Sequence, residues 1–408
     1  MQISTIYRRG AHPARFLSVL VLSGVAYGLY KGVQDNYLIE ILGVNPFERG
    51  IIEFVREIPG LLVVFILAAM YRFAEQRVFK IGTALMLAGV AGLAVVKAET
   101  FAVVAFVVVF SFGEHTVMPV KSTISLELAE KGRGGAALGI ASTISNLGSI
   151  AGFLIVTLVF FIFSRFGFSR TDVIQFKVVF AIAAALMTGA LLTSIAIKET
   201  ETKTRRRRFY FSRKFSTYYM LEIFYGARKQ VFFTFGPMVL IREYGAPTSV
   251  VAILLAVAAV FGMVFSPLVG RLIDYLGYKT IMVGDTLVLI VVCFFYGFSH
   301  RIFPQNIAFV IVCINYILDS ILTLGSMASN VYVQSIAENQ EEMTATISTG
   351  ISINHVLSIF IALAGGFVWK VTGIEVLFTI SAVLGLINSL YAATIKTAPV
   401  KHITGEAA

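Results

Sequence analysis

The sequence predicts an all-α membrane protein: twelve transmembrane helices in two pseudo-symmetric six-helix bundles. Three observations carry this. Of 408 residues, 57% are hydrophobic and only 14% charged, against about 25% charged in a soluble domain. Apolar stretches long enough to span recur along the whole chain, and about 20 helical residues cross a bilayer core of roughly 30 Å. One polar, strongly basic stretch, KETETKTRRRRFYFSRK at 198–214, divides these stretches into two sets of six.

Helices are required because backbone groups in lipid must be bonded inside the protein, which leaves only helices and closed barrels. The runs are too long for barrel strands of roughly 10 residues. The first run begins near Phe16, after Arg8, Arg9 and Arg15. It is long and no small-residue cleavage site closes it, so it reads as a first span rather than a signal peptide. Approximate limits of the spans are 14–40, 50–71, 78–97, 101–126, 135–163, 175–197, 215–241, 248–271, 279–299, 306–335, 345–370 and 374–396. The expected organisation is a first bundle at 1–197, a basic cytoplasmic linker at 198–214, a second bundle at 215–397 and a short tail at 398–408.

Lys and Arg in short loops set orientation. The segments on the side of the termini hold twenty of them, the opposite segments eight. Both termini are therefore expected in the cytoplasm, and the short loops and tails suit a bacterial inner membrane. The formal charge of +10 clusters in the loops between spans, which argues against nucleic acid as a partner. Cys293 and Cys313 fall inside apolar runs and read as ordinary buried residues without metal spacing. There is no G-x-S-x-G, H-E-x-x-H, Walker A or Cys-based metal motif. An enzyme, ATP-driven transport, a cofactor and a bound metal are accordingly not expected.

The halves resemble each other weakly. YGLYKGV at 27–33 recurs as YGARKQV at 225–231, which places Lys31 over Lys229. LAE at 128–130 matches IAE at 336–338, and the same shift puts Asn146 on Asn354. A repeat of six spans in each copy points to a two-bundle transporter.

Residues 270–279 read GRLIDYLGYK and fall in the turn between spans 8 and 9. Gly270, Asp274, Gly277 and Lys279 fit G-x-x-x-D-x-x-G-x-[K/R], a pattern that resembles the cytoplasmic loop signature of the major facilitator superfamily. The glycines permit a tight turn and close helix approach. Asp274, near two helix ends, is expected to latch neighbouring helices through backbone and Arg/Lys hydrogen bonds. The corresponding stretch of the first half, AAMYRFAEQRVFK at 68–80, departs from the pattern: Arg72 stands near the Asp position and the glycines are missing. GSIAG at 148–152 resembles part of the G-P-x-x-G signature of drug/proton antiporters, with Ser149 at the proline position. Ordinary close packing is the favoured account of these small residues.

The resemblance implies that spans 1, 4, 7 and 10 line a central cavity. The charges and histidines inside spans concentrate there: Lys31 and Asp35; Glu114, His115 and Lys121; Glu222, Arg228 and Lys229; Asp319. Few lie elsewhere: Glu53, Arg56 and Glu57, Asp285, and His355. A cation at mid-bilayer is costly and should face water, a counter-ion or a substrate. Arg228 carries a planar fork that can hold a carboxylate or phosphate. It is favoured as the substrate contact, with a structural pair to Asp319, Glu222 or Glu114 as the competing account. Adjacent helical residues diverge by about 100°, so Lys229 would face a neighbouring helix or the other half. Lys31, Tyr27, Tyr225, Asn315, Asn330, Asn146 and Asn354 complete the expected binding set. Glu114 and His115 are the expected proton-coupling pair, since imidazole titrates near neutral pH, with Asp35 and Asp319 as alternatives. Glu53, Arg56 and Glu57 share a helical face near the outer end of span 2, where a solvated helix end is expected over a gate network.

The expected function is a secondary active transporter. It would move a small organic anion or zwitterion by alternating access, coupled to protons, or to a counter-anion. The competing expectation is a multidrug/proton antiporter exporting amphipathic compounds. Span 7 disfavours it by offering two cations against one carboxylate. Arg205–Arg208, followed by aromatic residues, suit anionic membrane lipid or act as a topology signal. The resemblance implies a monomer.

Overall fold

The computed structural model describes residues 6–8, 13–70, 72–130, 133–199, 211–338 and 340–395. The Arg205–Arg208 run and the 398–408 tail lie outside these. Among the described residues thirteen α-helices follow one another: α1 Pro13–Asn36, α2 Pro46–Ala69, α3 Glu75–Val95, α4 Thr100–Leu128, α5 Gly134–Arg165, α6 Val173–Ile195, α7 Ser216–Arg242, α8 Thr248–Leu276, α9 Tyr278–Ile302, α10 Gln305–Leu322, α11 Ser326–Ile336, α12 Gln340–Thr372 and α13 Ile374–Ala393. No strand occurs among the described residues; Tyr7 and Ala129 make an isolated antiparallel bridge.

Among the described residues ten helical runs are long and apolar enough to cross a membrane, and the protein is an integral, multi-pass membrane protein. Two further helices have the length but carry charge. α2 holds Glu48, Arg49, Glu53, Arg56 and Glu57. α7 holds Glu222, Arg228, Lys229 and Arg242.

Helix ends follow local chemistry. Asn45 caps α2: its side-chain oxygen accepts from the N–H of Phe47 (3.0 Å) and Glu48 (3.1 Å), and the Glu48 carboxylate accepts from the N–H of Asn45 (2.9 Å). This reciprocal arrangement is a capping box with Pro as the first helical residue. At the other turn of note, Gly277 takes φ +82°, a conformation that favours glycine, and α9 begins one residue later. α1 runs on through a π turn at Tyr37–Ile41. The run expected at 306–335 is broken by a 3₁₀ turn at Thr323–Gly325, which separates α10 from α11.

The packing repeats. α1 lies against α5 and α6, and α3 against α4 and α6; α7 lies against α12 and α13, and α9 against α10 and α13. The repeated Tyr-Gly of the two halves has its physical reason here. A Cβ at Gly28 would sit 2.1 Å from the carbonyl oxygen of Ser149 on α5, and one at Gly226 would sit 2.8 Å from the Asn354 amide on α12. Both glycines let a central helix close on its neighbour. Gly148 and Gly152 do the same from α5, where added Cβ atoms would meet α1 backbone at 2.9 and 2.3 Å. Helix–helix packing thus accounts for GSIAG.

Between the halves, α2 packs on α12 and α5 on α8. Thr157 donates to the Ser249 carbonyl (3.3 Å), Asn36 to Ala246 (3.1 Å) and Arg170 to Gly245 (2.8 Å). These bonds cluster at the end of the molecule away from the termini. At the terminal end, Arg15 donates to Ala196 (2.7 Å) and Lys279 to Ile395 (2.9 Å), each within one half.

Candidate functional site

Charge inside an apolar molecule must be matched by neighbouring charge. On α2 the spacing of Arg49, Glu53, Arg56 and Glu57 by three and four residues stacks them on one face. Arg49 reaches Glu53 at 2.8 Å and Asp35 of α1 at 3.0 Å. Lys31 lies 3.7 Å from Asp35. Arg56 holds Glu53 through two bonds, of 3.0 and 2.6 Å, contacts Glu57, and lies 4.0 Å from Glu114 of α4. Arg49 and Glu53 are fully buried.

The other half completes the network. Gln230 of α7 donates to Glu53 (3.3 Å), and His355 of α12 lies 3.0 Å from the second oxygen of Glu57. The ring of Phe233 lies 4.8 Å from the Lys31 ammonium and 5.4 Å from the Arg56 guanidinium, a favourable cation–π position. Three cations (Lys31, Arg49, Arg56) meet three carboxylates (Asp35, Glu53, Glu57).

The expectation of a solvated end for Glu53, Arg56 and Glu57 is therefore corrected. The capping box starts α2 at Pro46, two turns before Glu53, and α12 covers that face. Arg49, expected in a loop, is a central member. Its signal in the sequence was Asn45-Pro46-Phe47-Glu48, which moves the helix start ahead of Arg49.

Arg228 also departs from expectation in this conformation. It is buried and points within its own half, 3.2 Å from Asp285 of α9. It also lies over Tyr225, at 4.9 Å. Its partner is none of the three carboxylates expected. Tyr225 donates to the carbonyl of Thr323 in the 3₁₀ break (2.8 Å), and Glu222 accepts from Ser329 (2.9 Å) and Asn354 (3.5 Å). Between them lies a small recess lined by Glu222, Tyr225, Asp285, Ser326, Ser329 and Asn388.

Lys229 is the exposed cation in the middle of α7; Arg242, also exposed, ends the helix. Lys229 stands one turn before Phe233, and residues four apart share a face, so it belongs to the face directed at the first half. Among the described residues it has no carboxylate within 4 Å, and Asp319, half-buried on α10, has no cation within 4 Å. Glu114 is part-exposed, with Tyr27 beside it. Lys121 of α4 is half-buried.

The remaining expected residues scatter. Asn315 is buried and bonds the Ile311 carbonyl of its own helix (2.7 Å). Asn146 and Asn330 are exposed. In the 270–279 turn, Gly270 approaches Met327 at 4.0 Å measured from an added Cβ, and Lys279 ties to Ile395, just past the end of α13. Asp274 is exposed, with no hydrogen bond or ion pair among the described residues. The latch expected of it is not made in this conformation.

The profile of the Major Facilitator Superfamily matches residues 16–359. The chain belongs to this superfamily. It is thereby a member of a transporter family, not an enzyme family. No curated protein matches the chain. Solved structures of the same fold include the nucleoside transporter NupG, at 13% identity and TM-score 0.75, covering 94% of this chain and 99% of that one. A peptide transporter of the POT family in complex with sulfate gives 13% identity, TM-score 0.72 and 96% of each chain. A D-xylose–proton symporter gives 13% identity and TM-score 0.71, covering 93% of this chain and 97% of that one. At these identities the likeness establishes the fold of this superfamily member.

Proposed function

We propose that this superfamily member is a secondary active transporter for a small organic anion or zwitterion. It works by alternating access of two six-helix bundles, 1–197 and 215–397, with α2 and α7 as spans and α10–α11 as one broken span. The observation that carries the substrate class is Lys229. It is exposed on the face of α7 directed at the first half, without a carboxylate within 4 Å among the described residues. Such a cation attracts a carboxylate or phosphate. Asp319 and the part-exposed Glu114 supply acceptors for an ammonium, which makes the lining suit a zwitterion as well as an anion.

The ties between halves support a conformation closed at the end away from the termini. With the termini cytoplasmic, as the Lys/Arg distribution favours, this is the inward-facing state. Protons are the proposed coupling ion. Glu114 and Asp319, neither tightly paired, and His115, whose Nε2 lies 3.8 Å from Glu57, are the groups proposed to carry them; Asp35, held by Arg49 and Lys31, serves the closed end. The D-xylose–proton symporter of the same fold is a precedent for such coupling. Arg228 acts as a structural partner of Asp285 rather than as a ligand contact.

The test is flux into proteoliposomes under an imposed pH gradient. The panel holds organic anions, zwitterions, lipophilic cations and neutral sugars, and wild type is compared with Lys229→Ala. Gradient-driven movement of an anion or zwitterion, lost in Lys229→Ala, is the expected result. Movement of lipophilic cations alone, indifferent to the substitution, would replace this reading with the multidrug exporter.

A further inference from the structure

We infer that Glu57, His115 and His355 form a binding site for a divalent transition-metal ion of the Zn²⁺ class, bridging the two halves of the protein. One ligating atom from each lies within 4.8 Å of the other two. The Glu57 Oε2 is 3.0 Å from His355 Nδ1 and 3.8 Å from His115 Nε2. Around Zn²⁺, ligands at about 2.0–2.2 Å in tetrahedral geometry stand roughly 3.3–3.5 Å apart. The two distances to Glu57 bracket that spacing, and the two histidine nitrogens, within 4.8 Å of each other, would draw together around the ion.

The ring of His115 is set for ligation. Its Nδ1 lies 2.9 Å from the carbonyl oxygen of Ser111, which can only accept. The Ser111 hydroxyl spends its one proton on the Arg56 carbonyl (2.6 Å), so at 3.1 Å from Nδ1 it too accepts. Nδ1 therefore carries the proton, and Nε2 aims a lone pair at the Glu57 carboxylate. Two acceptors facing each other call for a positive species between them. A ligating histidine characteristically donates its other N–H to a backbone carbonyl in this way.

Room for the site is made by Gly60, three residues along α2 from Glu57. A Cβ there would lie 2.7 Å from His115 Nε2 and 3.3 Å from His355 Nδ1. The charge balance is compatible with a cation. Arg56 occupies the first oxygen of Glu57, and Oε2 is turned to the two histidines. Glu53 and Glu114 face Arg56 in turn. Two imidazoles and one carboxylate select zinc, cobalt, nickel or copper over calcium and magnesium, which prefer oxygen. His355 is a quarter exposed, which leaves a fourth position for water.

Glu57 and His115 belong to the first half and His355 to the second, so a bound ion favours the conformation in which they meet. That consequence rests on the alternating-access reading; the binding itself does not.

The experiment is an equilibrium titration of the full-length chain in detergent. It is freed of its affinity tag and stripped of metal, and ZnSO₄ is added against a chromophoric chelator. One equivalent of Zn²⁺ should bind, weakened about tenfold or more in His115→Gln and in His355→Gln and unchanged in His300→Gln. Uptake by wild type no greater than by the His115→Gln/His355→Gln double variant would overturn the proposal and leave a proton as the species between Glu57 and His115. Should the variants fail to fold, Co²⁺ added to wild type decides. Intense visible bands of a tetrahedral nitrogen-ligated ion support the site, and the weak spectrum of hydrated Co²⁺ refutes it.

Discussion

Arg228 Nη2 lies 3.2 Å from Asp285 Oδ2, joining α7 to α9 inside the second half. Both side chains are largely buried. Removing one partner of such a pair leaves an uncompensated charge, at a cost of about 3–5 kcal/mol. Arg228→Met should lower the melting temperature markedly, and adding Asp285→Asn should restore part of the loss. A double variant as unstable as the sum of the two singles would mean that the pair is not coupled.

The glycines of α1 and α5 separate packing from propensity. Gly28→Ala would drive a Cβ to 2.1 Å from the Ser149 oxygen and force two helix backbones apart. Gly139 meets nothing within 4 Å of an added Cβ, and Ala there gains up to about 1 kcal/mol of helix propensity. Thermal melts should show the first variant strongly destabilised and the second neutral or slightly stabilised.

Two glycines make the contact between α2 and α12. A Cβ at Gly50 would lie 2.5 Å from the Ala362 oxygen, and one at Gly366 would lie 2.5 Å from the Pro46 oxygen. The clash belongs only to the conformation in which the halves touch. Gly50→Val or Gly366→Val should shift the population away from it. With Cys293 and Cys313 replaced and a cysteine placed at Gln230, buried here, maleimide labelling should accelerate. Unchanged labelling with lowered stability would show that this contact does not open.

Past the end of α6, Glu199 accepts from Arg77 at 2.8 and 3.2 Å, with Lys80 at 3.5 Å. The Arg77 hydrogen bonds hold the Glu199 carboxyl below its ordinary value of 4.5. A depressed carboxyl contributes stability above its unfolded value and loses it as pH falls through the folded one. The difference in melting temperature between wild type and Glu199→Gln should therefore be small and constant above pH 4.5 and vanish on acidification. A difference that widens toward acid would carry the wrong sign.

The helical architecture was legible because a bilayer-length apolar run has few structural solutions. The charged helices were less so. The span starting at residue 50 left Arg49 outside, although the capping box at Asn45 and Glu48 was there to be read. The break at Thr323–Gly325 carries no proline and depends on what surrounds it, including Tyr225. The choice between Arg228 and Lys229 could not be made from α7 alone, since adjacent residues point about 100° apart and the deciding group, Asp285, sits on another helix. The cluster of Glu57, His115 and His355 was invisible to motif spacing because its members come from three helices. His355 stands 298 residues from Glu57.

The balance of three cations and three carboxylates along α1 and α2 bears on how the chain enters the bilayer during synthesis. α2 is not among the runs apolar enough to partition by composition, and its partners on α7 and α12 are not yet made when it leaves the ribosome. Asp35 and Lys31 are. Paired with them, the α1–α2 hairpin presents no net charge to lipid, so the two helices should integrate together as one unit. A glycosylation reporter placed after α2 should score insertion when α1 precedes it and failure when α2 is offered alone or when Asp35→Ala removes one of the two carboxylates that hold Arg49.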